Sequence, residues 1–139
     1  MSPEVEQEIN QGRKRIDLIF DNAAETGFFH RLHTTYDTPS QFIMVECKNY
    51  RREMANPELD QMIGRLSPNR GKFGLIVCRS LEDENLFLQR CADSYVAHHG
   101  IILPITDASL VDILTRLRAG ENRPEEPVLM QKYRSVALR

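Results

Sequence analysis

Residues 73–78, "FGLIVC", form an almost unbroken apolar run bounded by Gly71-Lys72 on one side and Arg79-Ser80 on the other. A strand with one solvated face alternates apolar and polar residues, whereas a run like this one is covered on both faces. Such a strand sits inside a sheet with helices packed above and below it. That requirement directs the reading toward an α/β domain.

The flanking sequence supplies the other elements. "VEQEI" alternates, meets the turn signal "NQG" and continues into "RKRIDLIF", which predicts a β-hairpin of Val5–Ile9 with Arg13–Phe20. The segment from Asp21 to Pro39 reads as a short helix or an irregular insertion. "QFIMVECKNY" is rich in β-prone residues and predicts a strand. "NPELDQMIGRL" has Asn56 as N-cap, Pro57 at the first helical position and acids in the first turn, the signature of a helix start. After the apolar strand, "LEDENLFLQRCADSYVAHHG" predicts a helix stopped by Gly100. "IILPIT" predicts a strand in which Pro104 marks an edge or an end. "DASLVDILTRLRAG" predicts a helix with Asp107 as N-cap, an apolar stripe at 110, 113, 114 and 117, and Gly120 as stop. The expected architecture is a mixed α/β domain with a mixed central sheet flanked by helices over residues 1–122, followed by a linker and C-terminal segment over 123–139.

Length and composition suit one globular domain: 139 residues, 41% hydrophobic and 27% charged. The apolar runs are too short to span a membrane, and "MSPEVEQEIN" carries no signal-peptide core. Cys47, Cys78 and Cys91 are an odd number with no close pair, which argues against a disulfide framework and a cysteine zinc site and fits a reducing cytoplasm. No glycine-rich nucleotide loop, Walker motif or Ser-His-Asp pattern is present, which sets aside nucleotide-cofactor and acyl-transfer chemistry. His30 and His33, without a further ligand cluster, read as surface residues, and His98 and His99 as helix-end residues suited to the dipole.

"VECKNY", residues 45–50, poses the functional question. Period-two alternation sends Met44, Glu46 and Lys48 to one face and Val45, Cys47 and Asn49 to the other, leaving the Cys47 thiol for core packing. Ionised side chains are rarely buried unless they are paired or bind a metal. The stretch is therefore a structural ion pair, a solvated edge or the floor of an active site. The hairpin strand carries its own acid, Asp17, between Ile16 and Leu18. If the two strands are neighbours, Asp17, Glu46 and Lys48 meet on one face, with Asp21 as a substitute ligand or, with Asn22, part of a helix cap. Two carboxylates suit a hard divalent cation such as magnesium, and a lysine beside them suits stabilisation of developing negative charge. Together they amount to an apparatus for phosphodiester hydrolysis. Net charge is only −2, but basic residues cluster at Arg13, Lys14 and Arg15, at Arg51 and Arg52, and at Arg65, Arg70 and Lys72, with Arg65 on the helix that follows the Lys48 strand, so that all three clusters flank this strand pair.

Asp17, the "ECK" of Glu46–Lys48 and a following helix bearing Gln61 resemble the PD-(D/E)xK, or restriction-endonuclease-like, nuclease superfamily, most of all its Mrr-like branch. The resemblance covers roughly residues 5–80 and rests on the order of hairpin, "ECKNY" strand, helix and buried strand as much as on the short motif. It implies a restriction-endonuclease-like fold, with Asp17, Glu46 and the backbone carbonyl of Cys47 as metal ligands. Lys48 would be the catalytic lysine and Gln61 an auxiliary catalytic position. It also implies Mg2+, with Mn2+ as a substitute, and DNA held by its phosphate backbone at Arg13, Lys14, Arg15, Arg51, Arg52 and Arg65. The implied role is an endonuclease module of a bacterial or phage defence or repair system. The alternative is a catalytically inactive module of the same fold used for nucleic-acid binding or assembly. Members of the superfamily usually open with a helix before the hairpin, so the chain is expected to be a fragment of a longer protein. A fused or separate recognition domain and a homodimeric arrangement are both compatible with the resemblance.

Overall fold

A computed structural model describes the backbone of residues 3–10, 13–48 and 56–139, and the side chains of residues 18–48 and 58–139. The chain runs β1 (Pro3–Asn10), β2 (Arg13–Asp21), α1 (Phe28–Thr34), β3 (Phe42–Lys48), α2 (Asn56–Ile63), β4 (Phe73–Cys78), α3 (Glu84–Val96), β5 (Ile101–Ile105), α4 (Asp107–Arg118) and α5 (Glu125–Ala137). The strands form one five-stranded mixed sheet in the order β1-β2-β3-β4-β5. The first three strands pair antiparallel, and β3, β4 and β5 pair parallel through the crossovers that contain α2 and α3.

The apolar run that predicted a doubly covered strand is β4, and both of its faces are packed. Phe73 lies edge-on to Phe28 and Phe29 of α1, with ring centroids 5.7 and 6.2 Å away. The next residue, Gly74, faces the opposite way, and a Cβ there would collide with the methyl of Met62 on α2. Glycine at this position lets α2 settle directly on the sheet. β5 forms the sheet edge that Pro104 predicted, yet all of its residues are buried, because α3, α4 and α5 pack against it.

Four local expectations need correction. Thr106, not Asp107, is the N-cap of α4: its hydroxyl accepts from the Ser109 amide while Ser109 Oγ accepts from the Thr106 amide, a reciprocal pair placed one residue earlier than the acid. The apolar stripe predicted for the core side of α4 mostly faces outward, since Leu110, Leu114 and Leu117 are exposed and Ile113 only half-buried. The capping pair is itself buried, so the side of the helix that carries Ser109 is the one that meets the protein. Asn22 does not cap α1, whose N-cap is Gly27; its side chain instead donates to the Phe29 carbonyl at 2.9 Å and pins the helix from the side. The segment after residue 123 is no appendage. It forms α5, whose Leu129, Tyr133 and Val136 join the common core.

Helix α3 ends before Gly100. The amide of His98 bonds to the Tyr95 carbonyl and that of His99 to the Ser94 carbonyl, with His98 in the left-handed region at φ 61°. This is a Schellman ending in which histidine occupies the position glycine usually takes. Gly100, at φ 131°, is needed for a different reason: a Cβ there would stand 2.7 Å from the Lys72 carbonyl oxygen.

Candidate active site

β3 is flanked by an antiparallel neighbour and a parallel one, and four of its residues in succession, Ile43–Glu46, are buried. Met44 lies beside Gly74 in the ladder and Glu46 beside Ile76, so Met44, Glu46 and Lys48 share the face on which α2 rests. Among the described residues Glu46 is the one buried acid, at 1% exposure. Its Oε1 lies 2.8 Å from Lys48 Nζ, and its Oε2 lies 3.9 Å from Arg65 Nη1. A carboxylate this deep would be severely destabilising without cations beside it. The two-residue spacing of Glu46 and Lys48 provides one of them from the same strand and the same face.

Arg65 arrives differently. It follows α2 in a tightened turn, with its amide bonded to the Met62 carbonyl, and its neighbour Leu66 is buried and anchors the turn. The guanidinium, expected on an outer flank, is therefore drawn inward beside Glu46, with only 19% of its side chain exposed. The sequence placed Arg65 as a phosphate contact flanking the site, and its local pattern carries no sign of the inward turn. Gln61 is half-buried on α2, one helical turn before Arg65.

Asp17 occupies the β2 position directly opposite Glu46 in the antiparallel ladder. The side chains of Asp17, Arg13, Lys14 and Arg15 lie outside the described residues, as do Arg51 and Arg52 altogether. Asp21 pairs with Phe42 at the far end of the same ladder and is exposed. It lies four positions along the strand from Asp17, about 13 Å of rise, which removes it as a substitute ligand. The Cys47 thiol is exposed rather than packed, because the core beneath its face of β3 ends at Val45.

No other described cluster offers comparable chemistry. A cavity of about 430 Å³ beside α1 is lined by residues that include Asn22, Phe29, His30 and His33, without Glu46, Lys48 or Arg65. His30 Nδ1 lies 3.1 Å from the Ala24 carbonyl, His33 is exposed, and among the described residues no three His, Cys, Asp or Glu side chains converge as a metal site. No protein-family model, curated protein or solved structure matches this chain. Among the described residues no helix is long and apolar enough to cross a membrane.

Proposed function

We propose that this domain is a metal-dependent nuclease of the PD-(D/E)xK type that hydrolyses phosphodiester bonds of DNA. The observation that carries the reading is the buried Glu46–Lys48 contact of 2.8 Å on β3, with Asp17 in direct register across the ladder. Opposed residues of an antiparallel pair belong to the same face, which supports a site shared by two acids and one lysine. The sheet order, an antiparallel hairpin continuing through β3 into parallel β4 and β5, supports a restriction-endonuclease-like fold.

The donor set suits a hard cation: the Glu46 carboxylate, the neighbouring Cys47 carbonyl and Asp17 offer only oxygen, leaving further positions for water and substrate phosphate. Bound Mg2+, or Mn2+ in its place, would lower the pKa of a coordinated water and neutralise charge on the scissile phosphate. In this reading Lys48, oriented by Glu46, donates to the phosphate as negative charge develops. Arg65 adds a second positive charge beside it, and Gln61 orients water from α2. Arg13, Lys14, Arg15, Arg51 and Arg52 hold the flanking backbone through salt-sensitive, sequence-independent contacts. Three cysteines without a disulfide support a cytoplasmic setting, and the resemblance implies a role in bacterial or phage defence or repair.

A second reading has its own observation. Glu46 is almost wholly enclosed and already faces two cations, as it would in a purely structural ion cluster. In that case the domain binds nucleic acid or assembles without turnover. Conversion of supercoiled plasmid to nicked or linear DNA separates the two. The nuclease reading expects cleavage in Mg2+ or Mn2+, none in EDTA, and none from Glu46→Gln. Cleavage by Glu46→Gln at the wild-type rate would refute the site, and a folded wild-type protein that binds DNA without cutting it in either metal would favour the inactive module.

A further inference from the structure

Helix α4 is docked with its amphipathic pattern turned away from the core. Val111 and Leu114 are each 61% exposed, Leu117 56% and Leu110 41%. The side that meets the protein carries the buried Ser109 and the half-buried Asp112, Ile113 and Arg116. Arg116 is paired there with Asp112 at 3.0 Å and with Glu121 at 3.4 Å, so those charges are satisfied within the helix and its end. A continuous apolar stripe facing outward is what a helix shows when its partner is missing.

We propose that the partner is a second copy of this chain, with the two α4 helices packed antiparallel about a twofold axis that passes between Val111 and Leu114. The charges argue for self-pairing. Asp107, Val111, Leu114 and Arg118 are spaced by four, three and four residues and therefore lie along one line of the helix. An acid stands at the start of that line and a base at its end, with leucine and valine between. An antiparallel twofold sets each Asp107 against the partner's Arg118 at both ends and brings Val111 and Leu114 together at the centre, flanked by Leu110 and Leu117. A parallel pairing would set acid against acid and base against base. The isologous arrangement uses one patch twice, as twofold dimers do, and it also opposes the two helix dipoles.

The 12-residue helix is about 18 Å long. A single pair of such helices covers less than the roughly 800 Å² per partner of a standard interface, so the dimer forms reversibly with concentration. The inference is independent of the nuclease reading, because α4 carries none of the residues assigned to that site.

Sedimentation equilibrium over micromolar to millimolar concentrations tests the proposal. The wild-type chain shifts from monomer to twice that mass. Leu114→Glu, at a position already exposed and therefore compatible with folding (circular dichroism checks this), places two carboxylates at the axis and keeps the chain monomeric throughout. Asp107→Arg and Arg118→Asp each self-associate several-fold more weakly than wild type. An equimolar mixture of these two variants regains the wild-type affinity, since every contact across the axis is again between opposite charges. A wild-type chain that stays monomeric, a Leu114→Glu variant that still dimerises, or a mixture no stronger than its components would overturn the proposal. So would a chain that remains monomeric in solution yet binds phosphatidylserine vesicles through α4, an outcome that assigns the face to a membrane surface.

Discussion

Glu46 and Lys48 are not equivalent, although they form one contact. Lys48 and Arg65 keep 10% and 19% of their side chains exposed and can swing their charged ends toward water, whereas Glu46, at 1%, cannot. Glu46→Gln therefore removes a buried charge and leaves two cations able to resolvate, with an expected cost of about 1 kcal/mol. Lys48→Ala strips the nearest cation from a buried carboxylate and is expected to cost about 3 kcal/mol. Urea denaturation of the two variants checks the asymmetry; equal losses would mean that Glu46 is better solvated than its burial implies. The thiols divide in the same manner. Burial pushes Cys91 up to about 12; it pushes Cys78 up to about 11, with a smaller contribution from Asp107, while Cys47 is exposed. Ellman's reagent is expected to label one thiol in the native protein and three in urea. Because unfolding returns the two buried thiols to their ordinary value of 9.0, the unfolded state loses its protons first. Stability should therefore hold below pH 9 and fall as pH climbs toward 11 and 12, a trend that denaturation midpoints across that range would reveal.

At the level of the elements, the two ends of the α3–β5 connection behave oppositely. His98 sits at φ 61° in a position where a Cβ is a burden, and it is exposed, so no packing offsets the strain. His98→Gly is expected to stabilise the protein by about 0.5–1 kcal/mol, the conformational gain reduced by the greater freedom of glycine in the unfolded chain. Gly100→Ala should destabilise it by about 2 kcal/mol or more, since φ 131° disfavours alanine and the new Cβ would press on both the Lys72 carbonyl and Leu66. Thermal melting of the two variants should move in opposite directions from wild type. A fall in melting temperature for His98→Gly would mean that the imidazole contributes more to the helix end than its conformation costs.

Across the whole molecule, α5 joins residues that the sequence keeps far apart. Glu126 accepts a hydrogen bond from the Phe28 amide at 2.7 Å, and its other oxygen lies 3.0 Å from Arg31, so this one carboxylate serves the start of α1. Tyr133 stacks on Tyr36 with ring centroids 4.5 Å apart and meets Phe28 edge-on. Val128, Leu129, Tyr133 and Val136 are all buried. At about 1.5–3 kcal/mol for each fully buried side chain, their loss is comparable with the entire stability of an ordinary domain, about 5–15 kcal/mol. Ending the chain at residue 122 is therefore expected to abolish cooperative unfolding rather than release an autonomous domain. A truncated chain that melts sharply, near the full-length temperature, would show that α5 is dispensable.

Much of this fold was legible in the sequence because its strongest signals are local. Period-two alternation, the unbroken apolar run of β4 and the turn residues between elements depend on neighbours in the chain, and they located the hairpin, the strands and the principal helices. The pairing within "ECK" was legible for the same reason: a two-residue spacing in a strand puts Glu46 and Lys48 on one face whatever surrounds them. Tertiary structure decided what local periodicity cannot encode. The depth of Glu46 and the inward turn of Arg65 depend on where α2 comes to rest on the sheet, which Gly74 permits from another strand. The outward stripe of α4 depends on the helix's rotation about its axis, which buries the Thr106–Ser109 pair where the hydrophobic pattern alone favours burying the leucines. The place of α5 in the core follows from contacts with α3, β5 and α1, the last separated from it by most of the chain. A sequence states which faces are apolar; only the packed molecule determines which of them find a partner.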